Sequence, residues 1–166
     1  MNNLYTRKDQ DTAAKTIAAH YRKTADLFPI FQKVFQQFDG KVYNCRLEKA
    51  LQEATGKYIH AEWNYSGSVL HIEYYSNVMG RSLYLASLDK KDMADGKRLN
   101  AEKLIESAKD RSEDFRRRAE ALDATADKVD DIRQQVKAAE KLIRGLIGSL
   151  PYEALDIWNL NYRIVN

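Results

Sequence analysis

The sequence has very little cysteine and proline: one cysteine, Cys45, and two prolines among 166 residues. A single thiol cannot form a disulfide within the chain, and it has no second cysteine with which to build a metal knuckle. No apolar run approaches the roughly 18 residues that a membrane-spanning helix needs. The polar N-terminus also lacks the apolar centre of a signal peptide. These absences predict a cytoplasmic protein.

Motifs that mark common enzyme classes are also missing. The sequence has no phosphate-binding loop of the GxxxxGKS type, no GxGxxG dinucleotide fingerprint and no GxSxG nucleophile elbow. The formal net charge is only +3, whereas a protein built mainly to hold nucleic acid usually carries a clustered basic patch. We therefore expect a protein with no cofactor and no catalytic residues, and direct nucleic-acid binding is the weaker alternative.

The residues that are present predict an α+β fold in residues 1–88. Two apolar stripes with helical spacing come first, and a third, shorter helix is expected to end at Gly56. Three stretches rich in β-branched and aromatic residues follow at 57–65, 69–76 and 81–88. They predict a three-stranded antiparallel β-meander.

The register of the first hairpin follows from the requirement that apolar residues share one face. With Ser66-Gly67 as the turn, Trp63 lies opposite Leu70, and the apolar residues of both strands face the same way. A slip of one residue would mix polar and apolar side chains on both faces. The favoured register places two polar pairs on the other face: Glu62 with His71, and His60 with Glu73.

Residues 100–148 have an apolar residue at every seventh position. The series is Ala101, Ala108, Phe115, Leu122, Val129, Val136, Ile143 and, just beyond, Leu150. This repeat predicts a helix with a continuous apolar seam. A second apolar line changes sides between Thr125 and Asp131, which fits either one helix with a stutter or two helices in a hairpin. The hairpin is slightly favoured, because short connections between antiparallel helices are common.

The chain is therefore expected to have four segments. Residues 1–88 form the α+β domain, and residues 89–99 form a polar connector. Residues 100–148 form a long helix, a helical hairpin or a coiled-coil arm, through which the chain could form a homodimer. Residues 149–166 form a short helix and a tail that packs back on the domain.

Basic residues cluster at two places. On the long stretch, carboxylates three or four residues away can pair with the arginines, so a solvated, ion-paired helix face is the favoured interpretation. Contact with nucleic acid or with an acidic protein surface is the alternative. The residues concerned are Arg111, Arg116, Arg117 and Arg118 on this stretch, and Lys90, Lys91, Lys97 and Arg98 in the connector.

Three tyrosines, Tyr58, Tyr75 and Tyr84, are expected on the sheet face that carries the His–Glu pairs. Exposed tyrosines supply contact area and hydrogen bonds at low entropic cost, so they indicate a recognition surface. The four residues of the pairs could also hold a divalent metal or perform acid–base chemistry. No zinc signature accompanies them, and ordinary cross-strand polar pairs are the favoured interpretation.

The chain resembles the small accessory proteins of phages and mobile elements, a class that includes anti-CRISPR inhibitors. The likeness rests on its size, on the run KVYNCRLEKALQEATGKY leading into a meander, and on a charged helical tail. It implies an inhibitor that occupies a nucleic-acid channel or a moving domain of a nucleic-acid-processing enzyme. We therefore expect a non-catalytic interaction protein with a protein partner. The alternatives are a dimeric DNA- or RNA-binding accessory protein that uses the Arg116–Arg118 helix face, and a metal-dependent enzyme at His60 and His71.

Overall fold

A computed structural model of the chain describes residues 7–149, and their side chains from residue 13 onward. Three helices come first: α1 (Arg7–Ala25), α2 (Phe28–Gln37) and α3 (Arg46–Thr55). The strands are β1 (Ile59–Trp63), β2 (Val69–Ser76) and β3 (Arg81–Asp89). A short 3-10 turn at Lys90–Asp92 leads to the last helix, α4 (Ala101–Gly148). The α+β prediction is confirmed.

The three strands form one antiparallel sheet in the order β1-β2-β3. Trp63 pairs with Leu70, Glu62 with His71, and His60 with Glu73, as the alternation of apolar residues predicts. β1 ends at Trp63, two residues earlier than predicted, and Ser66-Gly67 lie in the turn as expected. The Asn64 side chain closes it by accepting hydrogen bonds from the backbone N–H groups of Ser68 at 2.9 Å and Val69 at 3.2 Å.

A β-bulge interrupts the pairing of β2 with β3. Ile72 pairs with Ala86 and Glu73 pairs with Tyr84, so Leu85 is an extra residue without a partner. Leu85 and Ala86 are consecutive and both buried. The bulge lets both residues face the core without moving Tyr84 to that side.

The chain divides into two compact units between Asp123 and Ala124. In the first unit, one face of the sheet packs against the helices and forms the hydrophobic core. The largest fully buried apolar side chains come from α2, α3, the three strands, the connector and α4: Phe35, Leu47, Leu51, Ile59, Leu70, Ile72, Leu85, Leu88, Leu99 and Leu104. We call the packed side of the sheet the inner face and the other side the outer face.

The start of α4 is capped from two directions. The Asn100 side chain accepts a hydrogen bond from the Lys103 N–H at 3.2 Å, as an N-cap residue does. The Asp39 carboxylate accepts a second one from the Ala101 N–H at 2.9 Å. Two of the N–H groups that a helix end leaves without a helical partner are therefore satisfied.

The helix α4 is a single element of 48 residues. Residues 125–131, where a break was favoured, are helical throughout, so the preference for a hairpin is wrong. The stretch has no proline and no glycine before Gly145, and its many Ala, Leu, Lys, Arg and Glu residues favour an uninterrupted helix. The predicted short helix and tail at 149–166 lie outside the described residues, apart from Ser149. No helix within residues 7–149 has both the length and the apolar character needed to cross a bilayer.

Candidate functional site

The outer face of the sheet brings together the tyrosines and the His–Glu pairs that the sequence singled out. The alternation along each strand and the pairing register place them on the same side. The residues of the outer face are Tyr58, His60 and Glu62 from β1 and the residue before it, Val69, His71, Glu73 and Tyr75 from β2, and Ser82, Tyr84, Ser87 and Asp89 from β3.

The three tyrosines of the outer face are open to solvent, with 69% of Tyr58, 55% of Tyr75 and 48% of Tyr84 exposed. Two of them also contact histidine rings of the same face. The ring centroids of Tyr58 and His60 are 4.4 Å apart in an edge-to-face arrangement, and those of His71 and Tyr84 are 5.0 Å apart. These contacts restrict the rings, so the face presents ordered aromatic surface.

The four residues His60, Glu62, His71 and Glu73 lie as two cross-strand pairs, as the register predicts. Among the side chains that the structure describes, no three His, Cys, Asp or Glu residues are grouped so that they could hold a metal ion. The pairs have the geometry of polar neighbours on a solvated sheet face. The described residues therefore give the metal-dependent alternative no geometric support.

Side chains occupy backbone groups at both edges of the sheet, which the sequence did not reveal. At β1, Glu48 accepts a hydrogen bond from the Ala61 N–H at 2.7 Å, and Gln52 donates one to the Ile59 carbonyl at 2.7 Å. The Tyr43 hydroxyl donates to the Ala61 carbonyl. At β3, the Ser87 N–H donates to Ser107 Oγ of α4 at 2.9 Å. An added strand would find these edge groups occupied.

The consecutive arginines Arg116–Arg118 of α4 each have an ion-pair partner within the fold. Arg116 lies 3.5 Å from Asp26 of the turn after α1, while Arg117 and Arg118 lie 3.2 Å and 2.7 Å from Asp114. Hydrogen bonding to the Tyr21 side chain, together with Asp114, raises the pKa of Arg118 above its ordinary value. The favoured interpretation of an ion-paired helix face fits this geometry. Arg111, one turn earlier, is exposed.

The connector cations fall into two groups. Lys91 lies 3.4 Å from Asp89, and Arg98 lies 3.9 Å from Asp95 while also donating to the Gly40 carbonyl at 3.0 Å. Lys90 and Lys97 instead line a groove at one end of the sheet. The structure thus separates four cations that look equivalent in the sequence.

A polar network on the inner face was missed entirely. His20 Nε2 shares hydrogen bonds with the Tyr74 hydroxyl at 2.8 Å and the Ser76 hydroxyl at 2.7 Å, and Thr24 Oγ1 lies 2.9 Å from the Tyr74 oxygen. Burial, followed by the positive charges of Lys57 and Lys23, lowers the pKa of His20. Burial also raises the pKa of Tyr74. The network joins α1 to β2 and is structural in character, because its members satisfy one another.

The chain matches no protein-family model, and no curated protein or solved structure is significantly similar to it. Inference about function therefore rests on the surfaces themselves.

Proposed function

We propose that the protein is a non-catalytic inhibitor or modulator that binds a nucleic-acid-processing protein through the outer face of the sheet. The observation that carries this proposal is the composition of that face. It holds three exposed tyrosines and three carboxylates, and none of the outer-face positions is a lysine or an arginine. Such a face is complementary to a basic protein surface.

The charge of the outer face favours a protein partner over nucleic acid. Proteins that process nucleic acids line their channels with lysine and arginine, which contact the phosphate backbone. Glu62 and Glu73 would attract those cations and repel phosphates, while the tyrosine rings accept cation–π contacts. The resemblance to anti-CRISPR inhibitors supports the same class of target.

The occupied edge groups of the sheet further define the mode of contact. With Glu48, Gln52, Tyr43 and Ser107 occupying edge groups, a partner would meet side chains of the outer face instead of adding a strand. Recognition would then depend on the tyrosines as anchors, since tyrosine is enriched among residues that dominate binding energy.

The test measures inhibition of purified RNA-guided nuclease complexes by the full-length protein and by a Tyr75→Ser, Tyr84→Ser variant. We expect the wild type to inhibit at least one complex and the double variant to bind at least about tenfold more weakly, which corresponds to about 1.4 kcal/mol. Tyr65→Ser is the matched control, because Tyr65 is fully exposed on the β1–β2 turn and lies off the outer face.

Two outcomes would contradict the proposal. One is equal inhibition by the wild type and the double variant. The other is a gel shift of free duplex DNA or RNA that weakens steeply with salt, because it would favour the alternative of direct nucleic-acid binding.

We also propose that the second unit pairs with a second copy of the chain. The seven-residue repeat continues there, and Ile132, Val136, Ile143 and Leu146 are exposed on the seam. β-Branched residues at Val136 and Ile143 are typical of one seam position in two-stranded coiled coils. Light scattering should give the mass of a dimer for the wild type and of a monomer for Val136→Asp, Ile143→Asp. Lys141→Ala, which lies off the seam, should remain dimeric, and a monomeric wild type would remove this proposal.

A further inference from the structure

A groove of about 450 Å³ lies at the end of the sheet, away from the outer face. Three connections form it: the loop between α2 and α3, the β1–β2 turn, and the connector after β3. The residues that matter to the argument are Val42, Tyr43, Trp63, Lys90 and Lys97.

The floor of the groove is apolar and held in place. The ring centroids of Tyr43 and Trp63 are 6.0 Å apart and the rings are perpendicular. Burial, followed by the Glu48 carboxylate, raises the pKa of Tyr43, so its hydroxyl stays protonated and donates to the Ala61 carbonyl. Val42 adds an aliphatic side chain that is 51% exposed. An apolar group entering the groove would find its contact surface already formed.

Backbone hydrogen bonds hold the walls of the groove as well. The Tyr43 N–H donates to the Lys97 carbonyl at 3.1 Å, and the Lys90 N–H donates to the Ser68 carbonyl at 2.7 Å. These bonds tie the connector to the other two loops. The side chains of the two lysines therefore extend from backbone that hydrogen bonds hold in place on both sides of the groove.

In the described part of the chain, the connector cations at the groove differ from the other two in having no carboxylate partner. Lys91 and Arg98 have carboxylates within 4.0 Å. Within residues 13–149, no ion pair of this kind is found for Lys90 or Lys97, the two connector cations that line the groove. A half-buried aromatic floor beside two ammonium groups without an ion-pair partner among these residues is complementary to a ligand with an apolar body and negative charge.

We propose that this groove binds a short acidic peptide segment of a protein partner, with an apolar or aromatic side chain on the Tyr43–Trp63 floor and carboxylates at Lys90 and Lys97. The surrounding charge favours a peptide over a nucleic acid. The connector carries four cations but also Asp89, Asp92 and Asp95. A strand with a phosphate at every nucleotide would be repelled more strongly by these carboxylates than a segment with only two or three acids. This site does not depend on the outer face.

The experiment follows Trp63 fluorescence in the full chain with Trp158→Phe, which leaves Trp63 as the only tryptophan. The probe is an acetylated and amidated peptide, Gly-Glu-Phe-Glu-Leu-Glu-Gly. We expect a saturable change in emission, and a smaller response or none with the same peptide carrying glutamine in place of glutamate. Replacing Lys90 and Lys97 with glutamine should weaken binding roughly 2- to 30-fold, as loss of two partly exposed ion pairs predicts.

The matched control replaces Lys91 and Lys49 with glutamine. It removes the same two positive charges, but these lysines pair with Asp89 and Glu53 and do not line the groove. Binding by this control should stay within about twofold of the wild type. Val42→Asp tests the floor without altering the half-buried rings of Tyr43 and Trp63 and should also weaken binding.

Several results would overturn the proposal. They are no saturable response of Trp63 to the acidic peptide, equal affinity of the Lys90, Lys97 variant and the Lys91, Lys49 control, or tighter binding of an oligothymidylate than of the peptide. Because the probe is synthetic, the result is separate from the nuclease inhibition that tests the outer face.

Discussion

Tyr74 and Tyr75 are neighbours in β2, yet they lie on opposite faces of the sheet. Tyr74 is 5% exposed, and its hydroxyl group lies within hydrogen-bond distance of Thr24 and His20. Tyr75 is 55% exposed and contributes to the outer face. The same side chain is thus part of the folding core at one position and of an open surface at the next.

The difference shows that alternation along the strand divides two tasks between the faces of the sheet: the inner face builds the core, and the outer face remains accessible. Residues of the inner face determine whether the chain folds, because their apolar surface and polar partners are buried. Residues of the outer face contribute little to the core, so these positions can carry side chains that bind a partner. The comparison predicts unequal costs for equivalent substitutions on the two faces.

The largest effect is expected from Ile72→Ala on the inner face. Ile72 is fully buried, so the substitution leaves a cavity and should lower the free energy of unfolding by about 2–5 kcal/mol. Tyr75→Thr keeps a strand-forming residue on the outer face and should cost less than about 1 kcal/mol. Urea denaturation of both full-length variants measures the two values, and similar losses would contradict the division of tasks.

A finer comparison removes only the hydroxyl groups. Tyr74→Phe removes the hydrogen bonds of the Tyr74 hydroxyl to Thr24 and His20 and should cost about 1–2 kcal/mol, because each buried hydrogen bond contributes about 0.5–1.5 kcal/mol. Tyr75→Phe should leave the free energy of unfolding unchanged within error. If Tyr74→Phe is equally silent in urea denaturation, the network on the inner face contributes nothing measurable.

Glu48→Ala tests whether the edge of β1 needs its side-chain partner. The substitution leaves the Ala61 N–H without the acceptor at 2.7 Å and should cost about 1 kcal/mol. It should also increase concentration-dependent association in sedimentation experiments, since the edge can then pair with another strand. Glu53→Ala is the control: Glu53 lies on the same helix and pairs only with exposed Lys49 at 3.8 Å. Association of both variants to the same extent would argue against edge protection.

The smallest expected effect is the pH dependence of the stability that His20 contributes. Burial lowers its pKa in the folded state below the ordinary value of 6.5, so the unfolded chain binds the proton more readily. The stabilisation from neutral His20 is fully present above pH 6.5 and is lost as the pH falls through the lower folded-state pKa. The difference in unfolding free energy between wild type and His20→Gln should therefore shrink as the pH falls below 6.5. A difference that grows on acidification would contradict this assignment.

The pairing of β1 with β2 could be predicted residue by residue because only one register keeps Trp63, Leu70 and their neighbours together. The same alternation predicted that the three tyrosines lie on the outer face. It could not predict the bulge at Leu85, because a pattern of period two has no place for an unpaired residue. Leu85 and Ala86, two successive apolar residues, were the available signal for it.

Contacts between distant parts of the chain could not be predicted. His20 meets Tyr74 and Ser76, which are 54 and 56 positions away, and no local pattern connects them. Glu48 and Ser107 close the sheet edges in the same long-range manner. For α4, the apolar line changes sides, which suggested a break. A stutter within one continuous helix accounts for that change equally well. The absence of glycine and proline before Gly145 predicted the continuous helix better.

The bulge in β3 also affects which single-residue deletions this strand can tolerate during evolution. Leu85 is the one residue of β3 that pairs with nothing in β2, and the strand keeps its alternation on either side of it. Loss of that single codon would remove one buried side chain and join two segments already in phase. Loss of one codon from a regularly paired strand would instead turn half of that strand over. The third strand thus contains a position at which a length mutation leaves the tyrosine-bearing surface in place.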